Sequence, residues 1–248
     1  PSMIKVFSKS DIGLVRKSNE DACRCGIFSH HAAWAVVCDG MGGVKGGNVA
    51  SSIAVEKISE TLLTGYHEGM DSEAIRSLIA MAISNANRSV HQVAGSNSSL
   101  AGMGTTVVTA IVSDAVIHVA HAGDSRAYLL SDGEIRQLTT DHSMVQEMVE
   151  KGDITAQQAK THPQKNIITR ALGVEVSLRI DYSETPAPKG GRLLICTDGL
   201  TNYVDESKIL ELSQELNGNE MTEKLISLAK EAGGGDNITV VVLEDQAG

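Results

Sequence analysis

Several features that mark common classes of protein are missing from this sequence. Its four cysteines include no Cys-x-x-Cys pair, the spacing found in many zinc and redox sites. The longest apolar runs, such as 239–243, are far shorter than the roughly 20 residues that span a bilayer, and no apolar leader precedes them. We therefore expect a cytoplasmic protein that does not enter a membrane.

A basic surface and two familiar catalytic motifs are also missing. Thirty-one acidic residues outnumber 21 basic ones, and the resulting formal charge of −10 argues against a nucleic-acid partner bound through its phosphates. Neither a Gly-x-Ser-x-Gly elbow nor a P-loop is present, so acyl-hydrolase and nucleotide-triphosphatase functions lose support. No repeat or linker divides the 248 residues, and we expect a single domain over 1–248.

Predicted strands come in blocks and predicted helices come in pairs. This order favours an α+β fold, in which antiparallel sheets are covered by helix pairs, over a doubly wound parallel sheet. We expect the four runs within 105–138 to form one antiparallel meander and Ser72 to cap the second helix. Strands are predicted at 4–7, 22–28, 32–38, 105–112, 115–121, 126–131, 134–138, 177–183, 192–197 and 238–244, and helices at 48–63, 72–93, 143–151, 155–159, 205–216 and 220–232.

The most informative pattern is an acidic residue that follows an apolar strand and stands beside glycine. In 36–43 an apolar strand ends at Asp39, and three glycines follow within four residues. A carboxylate at the mouth of such a strand is costly to bury without a partner, and glycine lets the backbone come close to that partner. The pattern recurs at Asp124, Asp198 and Asp236. Four occurrences indicate carboxylates gathered at one end of a sheet to hold hard cations.

The candidate ligands are Glu20, Asp21, Asp39, Asp124, Asp198 and Asp236. Oxygen ligands of this kind favour Mg²⁺ or Mn²⁺, with Ca²⁺ as a competitor, and two ions roughly 3.5–4 Å apart would lower the pKa of a bridging water. The alternative is that each aspartate only caps a turn or a helix; we favour metal binding for the set as a whole. Arg16 could bind a phosphate through its guanidinium group, although an arginine in a loop is more often a solvated charge.

The histidines and the strand cysteines are predicted to be structural. His142 directly precedes a predicted helix and is expected at the surface, whereas His118 and His121 lie within a predicted strand. Cys38 and Cys196 stand near the ends of apolar strands, where cysteine usually behaves as a small core residue. None of these residues is assigned a role in catalysis.

Eight short motifs occur in an order that is characteristic of one family. They are Arg16-x-x-Asn19-Glu20-Asp21, Asp39-Gly40-Met41-Gly42-Gly43, Gly104-Thr105-Thr106, Gly123-Asp124-Ser125-Arg126, Asp141-His142-Ser143, Thr169-Arg170-Ala171-Leu172-Gly173, Thr197-Asp198-Gly199-Leu200 and Gly235-Asp236-Asn237-Ile238-Thr239. Together they resemble the metal-dependent type 2C protein serine/threonine phosphatases, and most of all the short bacterial members that consist of the catalytic domain alone. The resemblance extends over 12–242.

This resemblance implies a four-layer α/β/β/α sandwich of two antiparallel sheets flanked by helix pairs, with a binuclear Mg²⁺ or Mn²⁺ centre at one end. It implies hydrolysis of phosphoserine and phosphothreonine by a metal-activated bridging water, with catalysis carried by Arg16, Asp39, Asp198 and Asp236. The matching motifs imply that the first two metals are bound by Asp21, Asp39, the Gly40 carbonyl, Asp198 and Asp236. A third, more weakly bound metal would be held by Asp124 with Asp198. Glu20 would hold a coordinated water, and Arg16 would bind the substrate phosphate.

The resemblance also implies a flap and a biological setting. Residues 143–166 correspond to the family's flap, which adjoins the site and influences substrate access. Bacterial relatives commonly oppose a serine/threonine kinase, so the expected partners are that kinase's phosphorylated protein targets. We expect a monomer, because the sequence shows neither a heptad seam nor another evident oligomerisation element.

Two departures from the family pattern bear on catalysis. Eukaryotic relatives carry a histidine where this chain has Met41, and many bacterial ones carry a histidine where it has Val44. Because these histidines are the usual candidates for the general acid, we expect a metal-bound water to protonate the seryl or threonyl leaving group.

Two other functions stay open at this point. A catalytically weak relative could bind phosphoproteins as a regulator, although the intact carboxylate set favours an active enzyme. A Mg²⁺-dependent phosphohydrolase of a small metabolite is poorly separated by sequence, because specificity lies in loops and the flap.

Overall fold

The computed structural model describes residues 3–42 and 46–246. The strands are β1 (Met3–Asp11), β2 (Asp21–Ser29), β3 (Ala32–Met41), β4 (Gly104–Thr105), β5 (Val107–Ser113), β6 (Val116–Ala122), β7 (Arg126–Ser131), β8 (Glu134–Gln137), β9 (Asp181–Pro186), β10 (Arg192–Cys196) and β11 (Ile238–Gln246). The helices are α1 (Gly47–Gly65), α2 (Ser72–Ser96), α3 (Met144–Glu150), α4 (Ala156–Ala159), α5 (Asp198–Thr201), α6 (Glu206–Glu215) and α7 (Gly218–Glu231), with a 3-10 turn at Ser98–Leu100.

The strands form two sheets in which every pairing is antiparallel. One sheet has the order β1-β11-β10-β7-β8, and the other has the order β2-β3-β5-β6-β9, with β4 paired to β3 beside this path. The first and last strands of the chain, β1 and β11, are neighbours in one sheet, whereas the β2–β3 hairpin lies in the other. No helix in this described part of the chain is long and apolar enough to cross a membrane.

Strand β3 shows why the sheets stack with helices outside. Successive side chains of a strand point to opposite faces, so a strand covered on both faces can be apolar throughout. Ala35 and Val37 belong to the core between the two sheets, whereas Val36 and Cys38 belong to a second core beneath α1 and α2. A third core, which includes Cys196, lies between the other sheet and the pair α6 and α7. The predicted four-layer sandwich and the buried positions of Cys38 and Cys196 are therefore confirmed.

The predicted four-strand meander is wrong at its centre. Strands β5 and β6 pair with each other, and so do β7 and β8, but β6 and β7 lie in different sheets. The chain changes sheet at Gly123, which has a φ of +111° and packs against the side chain of Thr106. A Cβ at this position would lie 2.8 Å from Thr106 Cγ2, so the crossing needs glycine both for its backbone angle and for its close approach.

Several element boundaries also differ from the sequence prediction. Helix α2 is capped by Asp71 rather than Ser72, because the Asp71 carboxylate accepts the Ala74 N–H at 2.8 Å. The ninth strand begins at Asp181 instead of 177, and the four-residue helix α5 was not predicted. A single helical turn is too short to show the 3.6-residue periodicity on which the prediction depended.

Candidate active site

The β2–β3 hairpin brings two of the predicted ligands together. Asp21, the first residue of β2, is the register partner of Asp39 near the end of β3. Directly opposite residues in an antiparallel pair project from the same face, so the two carboxyl groups are neighbours. Pairing of the two strands is therefore sufficient to place both carboxyl groups at one end of the sandwich.

Two threonines hold the buried carboxylate of Asp21. The hydroxyls of Thr197 and Thr239 donate to Asp21 Oδ2 at 2.9 and 2.7 Å. Both reach the same oxygen because Thr197 directly follows β10 and Thr239 lies in the neighbouring strand β11, where its N–H donates to Thr197 Oγ1 at 3.1 Å. Asp21 Oδ1 is buried and has no N–H or hydroxyl donor among residues 3–42 and 46–246, so one oxygen is anchored and the other is left for a different partner.

Thr106 holds the backbone of Asp39. The Asp39 N–H donates to Thr106 Oγ1 at 2.9 Å, and the Thr106 N–H donates to the Asp39 carbonyl at 2.9 Å. The same Thr106 hydroxyl is 2.8 Å from Ser125 Oγ, which directly follows the candidate ligand Asp124. One hydroxyl therefore links the end of β3 to the turn at which the chain changes sheet.

Asp198 and Asp236 are brought to this point by adjacent elements. Asp198 is the first residue of α5, just after β10, and its Oδ1 is buried without a donor in the part of the chain that the structure describes. Asp236 lies in the glycine-rich loop before β11, where its Oδ1 accepts the Asn237 N–H at 2.7 Å. Because β10 and β11 are antiparallel neighbours, the end of one lies beside the start of the other. The structure thus gathers the carboxylates that the sequence singled out.

Burial makes Asp21, Asp39, Asp124 and Asp198 resist ionisation when no cation is present. It raises the pKa of Asp21 to about 7, although the two threonine hydroxyls stabilise the charged form. The pKa values of Asp39 and Asp124 are raised well above the ordinary range, first by burial and then by neighbouring carboxylates such as Asp198. The pKa of Asp198 is raised by burial and then by Asp236. A divalent cation among them would stabilise the charged forms and reverse these shifts.

Glu20 stands at the mouth of the cluster, where two glycines make room for it. The Gly40 N–H donates to the Glu20 carbonyl at 2.9 Å. A Cβ on Gly47 would lie 2.4 Å from Glu20 Oε2, and a Cβ on Gly40 would lie 1.9 Å from the Gly47 carbonyl oxygen. Burial raises the pKa of Glu20, while Arg16 opposes the shift. The close approach of β3 to the start of α1 therefore requires glycine on both sides.

Arg16 lies beside Asp236 with its guanidinium accessible. Its Nε is 3.5 Å from Asp236 Oδ1 and 3.4 Å from the Gly235 carbonyl, and 56% of its side chain is exposed. Met41, the first of the two positions without the family's histidine, lies at the end of β3 and is partly exposed. The second, Val44, and the motif residue Gly43 lie outside the described residues.

The prediction that His142 lies at the surface is wrong. Its side chain is 6% exposed and stacks on His121, with ring centroids 4.5 Å apart and ring planes 7° from parallel. By distance alone, these two histidines and Asp181 could hold a metal ion, because one ligand atom from each lies within 4.8 Å of the others. Sequence reasoning missed this group because Asp181 lies 39 residues from His142 on a separate strand. Thr106, Thr197 and Thr239 were also missed; their signal was a polar residue within or beside an apolar strand.

A family comparison decides the identity: residues 15–230 match the model of protein phosphatase 2C. The chain belongs to this family. The serine/threonine phosphatase stp of Listeria monocytogenes is 39% identical over 245 residues, which cover 95% of this chain and 94% of the relative. The structure of the Streptococcus agalactiae serine/threonine phosphatase matches with a TM-score of 0.90 at 32% identity, over 98% of this chain and 100% of the other.

A further solved structure bears on the metal centre. The catalytic domain of the phosphatase PstP, in complex with two manganese ions, matches with a TM-score of 0.87 at 33% identity, and the match covers both chains completely (100% of each). These comparisons confirm the resemblance that was inferred from the eight motifs. The chain is a protein serine/threonine phosphatase of the bacterial protein phosphatase 2C type.

Proposed function

We propose that this phosphatase hydrolyses phosphoserine and phosphothreonine in proteins with two Mg²⁺ or Mn²⁺ ions bound by its carboxylate cluster, and that a third ion binds more weakly. The observation that carries this proposal is a pair of buried oxygens, Asp21 Oδ1 and Asp198 Oδ1, to which none of the described residues donates a hydrogen bond at the point where the carboxylates converge. Buried charged oxygens of this kind require a counter-charge, and a divalent cation supplies it.

The donor set fits hard cations. We assign the first two ions to Asp39, Asp198, Asp236, the Gly40 carbonyl and Asp21, which offers Oδ1 because its Oδ2 is engaged by threonines. Asp124 with Asp198 is assigned to the third ion, and Glu20 to a coordinated water. These donors are all oxygen atoms, as Mg²⁺ and Mn²⁺ prefer. When bound, the ions would supply Lewis acidity and lower the pKa of the attacking water.

Side chains of the protein bind the substrate phosphate and hold the metal ligands in position. Arg16 is placed to bind two oxygens of the phosphate, because its guanidinium is exposed and lies next to Asp236. Thr197, Thr239 and Thr106 fix the carboxylate of Asp21 and the backbone of Asp39, so that little reorganisation is needed during the reaction. Met41 has no proton to give, and the leaving oxygen takes its proton from water.

Residues 143–166 are proposed as a flap that controls access to this centre. The segment contains α3 and α4 and stands outside both sheets. Its two ends are tied together where the Met144 N–H donates to the Ile167 carbonyl and the Thr169 N–H donates to the His142 carbonyl, each at 2.9 Å. A segment whose two ends are hydrogen-bonded to each other can move as a unit.

The proposal also covers the location, the oligomeric state and the partners of the enzyme. We place the enzyme in the cytoplasm as a single-domain monomer that acts on protein targets of a bacterial serine/threonine kinase. The acidic charge of −10 supports protein rather than nucleic-acid substrates.

The substrate class is tested by comparing phosphothreonine and phosphoserine peptides with a panel of phosphorylated sugars and nucleotides in the presence of Mn²⁺. The proposal expects kcat/KM for the peptides to exceed that for every metabolite. Calorimetric titration of the metal-free protein with Mn²⁺ should show two tight sites and one weaker site. A metabolite that is hydrolysed faster than the peptides, or a protein that binds no Mn²⁺, would contradict the proposal.

A further inference from the structure

His142 makes two hydrogen bonds to Gly123, the residue that precedes the candidate ligand Asp124. The His142 N–H donates to the Gly123 carbonyl at 2.9 Å, and the Gly123 N–H donates to His142 Nδ1 at 3.0 Å. Both residues are buried. Since the proposed flap begins one residue after His142, this histidine joins the base of the flap to the turn that carries Asp124.

The contact with Gly123 determines which ring nitrogen of His142 carries hydrogen. Because Nδ1 accepts the Gly123 N–H, the hydrogen of the neutral ring is on Nε2. Nε2 donates it to Asp181 Oδ2 at 2.8 Å, and the other Asp181 oxygen accepts from Arg170 Nη1 at 3.0 Å. A continuous chain of hydrogen bonds therefore runs from Arg170 through Asp181 and His142 to the backbone of Gly123.

The stacked ring of His121 fixes the plane of His142 but does not make a shared metal site. Imidazole lone pairs lie in the plane of the ring, and two rings within 7° of parallel direct their lone pairs along separate planes that do not converge on one ion. His121 Nε2 also lies 2.8 Å from the Thr140 carbonyl, and both nitrogens of His142 are already engaged. These contacts favour a positioning role for the group over binding of a metal.

We propose that Asp181, supported by Arg170, sets the tautomer and orientation of His142, and that His142 in this state positions the Gly123–Asp124 turn for the weaker third cation. The inference rests on the proposed function, in which Asp124 is a ligand of that cation. His142 and Asp181 are positioning residues: they touch neither substrate nor cation and act through the backbone of Gly123.

Four substitutions separate the steps of this chain. His142→Ala removes the acceptor for the Gly123 N–H, whereas His142→Asn places an oxygen close to the position of Nδ1 but is too short to reach Asp181. Asp181→Ala removes the acceptor for His142 Nε2, whereas Asp181→Asn keeps an acceptor oxygen without the charge. Glu184→Ala is the matched control, because Glu184 lies on the same strand and accepts from Tyr182 instead.

The first measurement is calorimetric binding of Mn²⁺ to the metal-free variants. We expect His142→Ala and Asp181→Ala to weaken the weaker site about tenfold, in line with other residues that orient metal ligands, and to leave the two tight sites unchanged. His142→Asn and Asp181→Asn should retain part of the affinity, and Glu184→Ala should retain all of it. In an Asp124→Asn background, His142→Ala should have no further effect on Mn²⁺ binding.

A second measurement does not need the metal. Nitrogen-15 NMR of the imidazole in the metal-free protein should show Nε2 protonated and Nδ1 unprotonated in the wild type, and a mixture of tautomers in Asp181→Ala. The inference is overturned if the wild type shows the other tautomer, if Asp181→Ala binds Mn²⁺ as Glu184→Ala does, or if His142→Ala weakens all sites equally.

These outcomes are distinct from a failure of the proposed function. A wild-type protein that binds no Mn²⁺ would overturn both proposals. A wild type that binds Mn²⁺ and loses the weaker site in Asp124→Asn, but keeps it in His142→Ala and Asp181→Ala, would overturn only the positioning role.

Discussion

Asp21 and Asp39 lie opposite each other in the β2–β3 ladder, and desolvation raises the pKa of both carboxyl groups. Neither group can ionise cheaply without a counter-charge, and Asp198 adds a third carboxylate beside Asp39. In the metal-free protein these carboxyl groups therefore tend to hold protons, and bound cations would displace those protons. This relationship makes the stability of the protein depend on both pH and metal.

The metal-free protein should lose stability as the pH rises. Burial raises the pKa of Asp21 from 3.8 to about 7, so the folded state binds more protons than the unfolded state between these values. Stability falls with pH wherever the folded state binds more protons, and the contribution of this carboxyl is lost as the pH passes its folded pKa. The melting temperature in chelator should thus be lower near pH 8 than near pH 5.

Mn²⁺ should raise the melting temperature more near pH 8 than near pH 5, because protons compete with it at the lower pH. Asp39→Asn should reduce this pH dependence. Asp114→Asn, at an exposed turn with a φ of 50° that asparagine also tolerates, is the matched control and should preserve it. A melting temperature in chelator that is constant or rises over this range would contradict the assigned protonation.

Thr239→Val should destabilise the fold by removing a hydroxyl from the buried carboxylate of Asp21. Valine has nearly the same shape, so the loss is that of the hydroxyl's hydrogen bonds, at 2.7 Å to Asp21 Oδ2 and at 2.8 Å to Ser10 Oγ. We expect a cost of about 1–3 kcal/mol in urea unfolding of the metal-free protein. Thr109→Val is a matched control, because the Thr109 hydroxyl is buried in β5 with no hydrogen-bond partner among the described residues, and its removal should be neutral or stabilising. Equal losses in both variants would refute the role given to Thr239.

Arg16→Ala should raise KM for a phosphothreonine peptide about tenfold or more, which corresponds to the loss of a charge-assisted hydrogen bond. Arg16→Lys should recover part of this loss, since it keeps the charge but not the planar pair of donors. Lys17→Ala removes the neighbouring exposed charge and should leave KM nearly unchanged. The assignment fails if the Ala variants at 16 and 17 behave alike in steady-state kinetics.

Gly47→Ala should lower activity by displacing Glu20. The new Cβ would lie 2.4 Å from Glu20 Oε2, and a displacement near 1 Å at a catalytic centre reduces the rate by about 10²-fold. Gly95→Ala, in the last turn of α2, places its Cβ in open space and should leave kcat unchanged. Normal kcat in Gly47→Ala would show that the position of Glu20 does not matter for the reaction.

The sequence predicted well those parts of the structure that depend on local pattern. Strand β3 is apolar up to Cys38 and is followed by the acidic Asp39, so the sequence alone predicted a buried strand that ends in a carboxylate. The order of strand blocks and helix pairs was sufficient to predict antiparallel sheets covered by helix pairs, and the family resemblance implied the four layers. The acidic residues beside glycine singled out four of the carboxylates that the fold brings together, Asp39, Asp124, Asp198 and Asp236, but not Asp21, which has no glycine beside it.

What the sequence could not show depends on contacts between distant segments. The crossing at Gly123 looks like an ordinary turn, because nothing local shows that Thr106 packs against it. His142 resembles a surface residue before a helix, and its burial follows from stacking on His121 and from Asp181, which lies on another strand. The sequence also gives no sign of what the threonine hydroxyls do, because the hydrogen bonds from Thr197 and Thr239 to Asp21 depend on how distant segments come together.

Binding of the catalytic metals by the carboxylate cluster is tested by Mn²⁺-dependent hydrolysis of a phosphothreonine peptide by the wild type, Asp39→Asn and Asp236→Asn, with Asp114→Asn as the control. We expect the wild type and the control to be active only with the metal, and both cluster variants to lose activity by orders of magnitude. Activity that survives in chelator, or that persists in Asp39→Asn and Asp236→Asn, would contradict this role of the cluster.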